Sequence, residues 1–209
     1  MFRPGCCLAT STTSSRKGPI ASGGPTVAAL VPGANAALTA ENPDLDHVVV
    51  GMGWDTIPSN GPQVELVPFA LMCNTDGKAI SNDHLVFFNQ LVSADASMTF
   101  IGDADQEQID VLLNQVPQDV AKIVFLAYVD PEVRGQGTFA SVRSSHIRVA
   151  NAQNRELVRF DIAAIQLASV TAMIFGELYR HRTDWKFRAL GQGYSTGLAG
   201  VAKDYGISL

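Results

Sequence analysis

The segment from residue 170 to residue 194, VTAMIFGELYRHRTDWKFRALGQGY, constrains the fold more than any other part of this chain. Two apolar-rich runs, residues 172–179 and 185–190, flank the polar tetrapeptide 181–184. Each run is too short for a helix of ordinary length and is rich in aromatic and β-branched residues, so the pair predicts a β-hairpin. Trp185 and Phe187 share one face of the second strand by its period of two, and we expect that face to be buried.

Short apolar segments separated by turn residues recur along the rest of the chain. Asp76 and Gly77 are typical of a tight turn, as are Asn60 and Gly61. Helical signals are confined to residues 116–120 and to residues 197–205. Many short strands with frequent turns favour a sandwich or barrel over a βαβ fold. The other predicted strands cover residues 47–54, 64–73, 85–91, 97–101, 109–113, 122–129, 145–150 and 156–162.

Length and composition predict one domain with a tail. The chain has 209 residues, and its first 25 are rich in Ser, Thr, Gly and Pro. We expect residues 1–25 to be a flexible tail and residues 26–209 to form the folded domain. The net charge of -5 argues against a nucleic-acid-binding protein, since such domains usually show a basic face.

The sequence indicates a cytoplasmic protein. No apolar run approaches the roughly 20 residues of a membrane span, and the N-terminus lacks the apolar core of a secretory signal. The chain has 3 cysteines, too few for a disulfide framework, which favours the reducing cytoplasm. The adjacent Cys6 and Cys7 leave open an acylated anchor or a redox pair.

Several motifs resemble, in order, those of the TerD family of bacterial tellurium-resistance and stress proteins. The resemblance covers residue 30 to the C-terminus. It implies an all-β fold, a two-sheet antiparallel β-sandwich with one or two short helices, with loops at one end that bind calcium in many members. It also implies a non-enzymatic role with protein partners or self-association. The motifs are LVPGANA at 30–36, VVVGMGWD at 48–55, DHLVFFNQ at 83–90, VAKIVF at 120–125, IRV at 147–149, RFD at 159–161 and the closing hairpin.

The resemblance also implies a calcium site with ligands from three places, because calcium takes six to eight oxygen ligands. The first of these places keeps Glu65, but Val67 stands where the family has a second aspartate. In the second, Asp83 remains between Asn82 and His84. In the third, the family's long acidic loop is reduced to residues 102–107. The candidate ligands that remain are Glu65, Asp83, Asp103, Asp105 and Glu107.

Two other features, the motif around Ser195 and the side chain of Glu177, each have two interpretations. Residues 193–197, GYSTG, match the nucleophile elbow of α/β-hydrolases. All four histidines precede Ser195, whereas that fold places its histidine after the serine, so glycines in a tight turn explain the motif better. Glu177 lies in an apolar run, where it either forms an ion pair with Arg180 or Arg188 or lines a binding surface.

Together, these features predict a non-enzymatic binding or scaffold module of a stress-response or tellurium-resistance system. Calcium dependence is expected only if the site is intact. The first alternative is a structural assembly subunit whose ion site is degenerate or needs a partner's ligand. The second is a hydrolase that uses Ser195. We expect protein partners or self-association, no nucleic acid and no membrane span.

Overall fold

A computed structural model describes residues 27–58, 64–102, 107–130, 137–163 and 169–208. The predicted tail, residues 1–25, lies outside the described residues, and so do Cys6, Cys7 and the predicted turn at Asn60 and Gly61. The described residues form two six-stranded sheets and one α-helix. The strands are β1 (Ala28–Ala29), β2 (Asn35–Ala37), β3 (His47–Thr56), β4 (Leu66–Cys73), β5 (Leu85–Val86), β6 (Met98–Phe100), β7 (Glu107–Leu112), β8 (Lys122–Val129), β9 (Val142–Asn151), β10 (Glu156–Ala163), β11 (Ala172–His181) and β12 (Asp184–Tyr194), and the helix is α1 (Gly197–Tyr205).

The two sheets pack face to face as a β-sandwich, as the sequence predicted. The strand order is β1-β10-β9-β3-β7-β6 in the first sheet and β2-β12-β11-β8-β4-β5 in the second. Every neighbouring pair is antiparallel except β1 and β10, which pair in parallel over two residues.

The core lies between the sheets and follows the period of two. On β3, Val48, Val50 and Met52 are fully buried. Ile147 and Val149 of the neighbouring strand β9 lie beside Met52 and Val50 in the same sheet and are also fully buried. Side chains at alternate positions of a strand point to one face, so these residues form one inner layer. The long apolar segments of the sequence therefore supply the core.

The second sheet is covered on both faces. All eight residues of β4 are buried, including Phe69 and Leu71 on the outer face. A second apolar cluster covers that face and includes Val201 and Tyr205 of α1. A strand buried on both faces reads as a continuous apolar run, which explains why residues 64–73 do not alternate.

The predicted C-terminal helix is present, and Gly206 ends it in the left-handed conformation, with φ of 72°. The second helical prediction is wrong. Residues 116–120 form a turn in which the Val120 N–H donates to the Pro117 carbonyl at 3.1 Å. β8 begins at Lys122, so too few residues remain for a helix. The strand predicted at 85–91 is also too long, since β5 covers only Leu85–Val86.

The closing hairpin is longer than predicted. His181 pairs with Asp184, so the turn contains only Arg182 and Thr183, and Arg182 has a positive φ of 61°. Trp185 is 3% exposed and Phe187 is fully buried, as the period of two predicted.

Candidate functional site

The sandwich has two ends, which differ in their chemistry. We call one the hairpin end, because the turn between β11 and β12 lies there. At the other, the loop end, β4 and β7 begin and β3, β8 and β12 finish. The Phe139 N–H, just before β9, donates to the carbonyl of Val170, just before β11, at 2.8 Å. This bond ties the two sheets together at the loop end.

The loop end brings together two of the predicted calcium ligands. Glu107 is the first residue of β7 in the first sheet, and the exposed Glu65 directly precedes β4 in the second sheet. Burial raises the pKa of Glu107, and the negative charge of Glu65 raises it further. The two carboxylates therefore lie close enough to repel each other.

Asp83 lies elsewhere. It belongs to a short 3-10 turn, Asn82–His84, and the next residue, Leu85, pairs with Leu71 near the far end of β4. Glu65 precedes the other end of that strand, so β4 separates the two carboxylates by roughly 25 Å at about 3.3 Å per residue. The Asp83 N–H donates to Ser81 Oγ at 3.2 Å, which is a local capping contact. Asp83 cannot bind the same ion as Glu65.

The described residues do not by themselves make a calcium site. Asp103 and Asp105 lie outside the described residues. Within the described ranges, no three His, Cys, Asp or Glu side chains are grouped so that they could hold a metal. Glu65 and Glu107 fit part of the oxygen-rich ligand set that calcium requires. The other ligands would have to come from further groups, among them the predicted ligands Asp103 and Asp105.

Sequence reasoning missed a further acid at the loop end, Asp130. It follows β8 directly, and the pairing of Leu66 with Val129 places residue 130 beside residue 65. Burial raises the pKa of Tyr128, and the negative charge of Asp130 adds to this effect. The one sequence signal at this position is an acid directly after a predicted strand, and the pairing of β4 with β8 was needed to place it beside Glu65.

A cleft of about 710 Å³ opens beside these acids, between the end of β8 and the start of α1. Tyr128, Val129 and Leu198 supply apolar surface, while Asp130 and three threonines are its polar groups. Its volume is in the range of small-molecule sites. The threonines are Thr138, Thr171 and Thr196.

Ser195 lies in a strand–turn–helix setting, and the described part of the chain gives it no histidine partner. Its side chain is exposed, and its carbonyl accepts from Thr171 Oγ1 at 3.4 Å. Among the described residues, no histidine side chain hydrogen-bonds to Ser195. A serine without a base does not form the activated nucleophile of a hydrolase.

Glu177 forms the predicted ion pair with Arg188 and not with Arg180. It is 4% exposed, and its two carboxylate oxygens lie 3.1 Å from Arg188 Nη1 and 3.1 Å from Lys122 Nζ. Residues three apart on a strand point to opposite faces, so Arg180 cannot reach it. The Arg180 guanidinium instead stacks on Trp185, 4.5 Å from the ring centroid, and donates to backbone carbonyls, those of Val116, Pro117 and Val120.

The TerD domain matches residues 27–205 of this sequence. The chain belongs to the TerD family. It is 38% identical over 185 residues to the tellurium resistance protein TerD of Serratia marcescens, covering 84% of this chain and 95% of that protein. It is also 38% identical over 190 residues to the general stress protein 16U of Bacillus subtilis (strain 168), covering 86% of this chain and 97% of that protein.

The fold is also found among solved structures. The crystal structure of a homologue of telluride resistance protein (TerD) from Streptomyces coelicolor A3(2) superimposes with a TM-score of 0.60 and 21% identity. The match covers 76% of this chain and 95% of that one. Across the described residues, no helix has the length and apolar character to cross a membrane.

Proposed function

We propose that this TerD-family chain serves as a non-enzymatic binding or scaffold module in a cytoplasmic stress or tellurium-resistance response. Its working surface in this proposal is the loop end, and calcium binds there weakly. The placement of Glu65 and Glu107 at the loop end, one on each sheet, is the observation that carries the proposal. A cation placed between two carboxylates that repel each other offsets the repulsion.

The composition of the loop end argues for weak binding. Where the family has a second aspartate, this chain has Val67, which is 6% exposed. Asp83, another predicted ligand, lies at the hairpin end. The predicted ligands that then remain are Glu65, Glu107, Asp103 and Asp105, and Asp130 lies beside Glu65. Calcium needs six to eight oxygens, so carbonyls, water or a partner would supply the others.

A binding role is better supported than an enzymatic one. Ser195 has no histidine partner among the described residues. Cys73, the buried thiol of β4, has its pKa raised to about 12 by burial, so it is not a reactive nucleophile. The names of the relatives from Serratia marcescens and Bacillus subtilis describe resistance or stress and no reaction. An esterase activity lost in Ser195→Ala would contradict the proposal.

Thermal unfolding with and without calcium tests the ion site. An intact site at 100 times its dissociation constant would stabilise the fold by about 2.7 kcal/mol, or roughly 5–10 °C in Tm. For this weaker site we expect a rise of only about 0–4 °C at millimolar calcium. The rise should vanish in the double variant Asp103→Asn/Asp105→Asn.

Asp83→Asn is the matched control, because Asp83 lies at the hairpin end and its loss should leave the calcium response unchanged. A rise above about 8 °C would mean that more ligands are present than the sequence indicates. A rise that survives the double variant would place the ion elsewhere.

A patch of exposed apolar side chains favours the assembly subunit as a second candidate function. The patch lies along the β5–β6 edge, where large apolar side chains are about half exposed. Such patches often mark protein interfaces. Native mass spectrometry with and without calcium separates the two functions, because it reports bound ions and oligomer mass together. The patch residues are Phe88, Leu91, Val92 and Ile101.

A further inference from the structure

A group of cations surrounds Glu177 on the outer face of the second sheet. Tyr179 pairs with Lys186 on β12 and with Lys122 on β8, and Glu177 pairs with Arg188. Arg188 lies 4.7 Å above the Tyr179 ring centroid. We call Lys122, Tyr179, Lys186 and Arg188 the basic face.

The basic face carries excess positive charge that is held in place. Glu177 contacts Lys122 and Arg188, so one carboxylate balances two cations. Lys186, on the same face, takes part in none of the ion pairs among the described residues. Glu177 holds Lys122 and Arg188, and Tyr179 also holds Arg188, before any ligand arrives, which lowers the cost of binding an anion.

An acidic loop of opposite charge follows β2, with the sequence ENPDLD at residues 41–46. Asn42 holds it in shape, since its side-chain amide donates to the Leu38 carbonyl at 3.0 Å and its oxygen accepts from Arg155 at 3.2 Å. The loop carboxylates are exposed, and none is in an ion pair among the described residues. They are Glu41, Asp44 and Asp46.

One strand, β2, links the basic face to the acidic loop, because it pairs with β12 and then leads into the loop. Ala37 of β2 pairs with Lys186, and the chain then turns beside the hairpin. Thr39 Oγ1 donates to Asp184 Oδ1 at 3.3 Å and accepts from the Trp185 N–H at 2.8 Å. Among the described residues, β2 pairs only with β12, so its other edge has no strand partner.

We propose that two copies of this chain associate through this edge, with the acidic loop of each copy against the basic face of the other. In a two-fold dimer the same surface of both copies meets, so each surface must carry both halves of the contact. This edge does, because β2 pairs with β12 of the basic face and leads, four residues after Ala37, into the acidic loop. The association deepens the scaffold role proposed above, since it gives the module a partner of defined chemistry.

Sedimentation velocity of the full chain tests the association, with EGTA present so that calcium plays no part. We expect a concentration-dependent dimer in about 20 mM NaCl, with a dissociation constant at least about tenfold weaker in about 500 mM NaCl because salt screens exposed charges. A monomer at every concentration in low salt would overturn the proposal. So would a dimer that is insensitive to salt.

A charge exchange locates the contact. Lys186→Glu and Asp44→Lys should each weaken the dimer by about tenfold or more, and the double variant should return to within about threefold of the wild type. If Lys186→Glu fails to fold, two variants still test the contact. Asp44→Lys changes an exposed loop position, and Lys186→Gln is a milder change at the same strand position. Failure of the double variant to recover would overturn the proposal.

Lys203→Glu is the matched control, because it makes the same charge change on an exposed position of α1. It should leave the dimer unchanged, and an equal loss there would show that only net charge matters. If the dimer fails while the calcium response holds, the proposed function remains and this inference falls. If the calcium response fails while the dimer forms, the proposed calcium site is contradicted and the dimer stands.

Discussion

Glu177 and Glu107 are both strand glutamates, but one carboxylate is paired and the other is crowded by a second carboxylate. Glu177 is 4% exposed, and Lys122 and Arg188 each contact it at 3.1 Å. Glu107 is half-buried, burial raises its pKa, and the negative charge of Glu65 raises that pKa further. The same residue type thus meets opposite electrostatic surroundings in two regions of one sandwich.

This difference separates a structural carboxylate from a candidate ligand. A buried charge with two partners is costly to break, so Glu177 serves the fold. A carboxylate beside a like charge lowers stability, and such perturbed carboxylates cluster at functional sites. The loop end is therefore where we expect an ion to bind, and Glu177 is a carboxylate that we expect to stabilise the fold.

The largest expected effect is on the hairpin strand next to the paired carboxylate. Phe187 is fully buried in the core. Phe187→Ala should lower the free energy of unfolding by about 3–5 kcal/mol, measured by urea denaturation. Lys186→Ala, a half-exposed neighbour, should stay within about 0.5 kcal/mol. A loss below about 1 kcal/mol for Phe187→Ala would mean that this strand face is not a packed core.

A smaller effect is expected from Glu177→Gln. Removing one partner of a buried pair costs about 3–5 kcal/mol, but Lys122 and Arg188 are partly exposed and water will offset some of that. We therefore expect a loss of roughly 2–3 kcal/mol in the same urea experiment. The control is Glu156→Gln, which breaks a surface pair with Arg159 at 3.7 Å and should cost under about 1 kcal/mol. Equal losses of unfolding free energy in Glu177→Gln and Glu156→Gln would mean that the buried pair contributes no more than a surface pair.

The hairpin was predictable because its signals are local. The period of two identified Trp185 and Phe187 as buried, and Gly206 identified the end of α1. Local signals also misled, since Pro117 opens a turn and not a helix. Whether a proline turn extends into a helix depends on how soon the next strand begins, and this depends on sheet register.

The loop end was only partly predictable because its geometry depends on pairing between distant residues. Glu65 and Asp83 are near in sequence, yet β4 runs between them and places them at opposite ends. Asp130 and Glu65 are far apart in sequence, yet the pairing of β4 with β8 places them side by side. A list of acidic residues therefore gives candidates, and only the register decides which of them can share an ion.

The smallest expected effect concerns the crowded carboxylate itself. The folded-state pKa of Glu107 is raised above its ordinary value of 4.5, so folding favours the protonated side chain. That contribution to stability is present below about pH 4.5 and is lost as the pH rises through the raised pKa. Glu107→Gln keeps a neutral side chain at every pH. It should match the wild type near about pH 4 and exceed it at neutral pH by less than about 1 kcal/mol, because a half-exposed charge is screened.

Urea denaturation of both proteins from acid to neutral pH measures this difference. Asp55→Gln is a suitable control, since Asp55 is exposed and pairs with Arg143 at 3.1 Å, so its removal should not raise stability at neutral pH. In calcium the gain of Glu107→Gln should shrink, because a bound cation removes the repulsion that the substitution relieves. A variant less stable than the wild type at neutral pH would show that Glu107 is favourably paired, and the contrast with Glu177 would disappear.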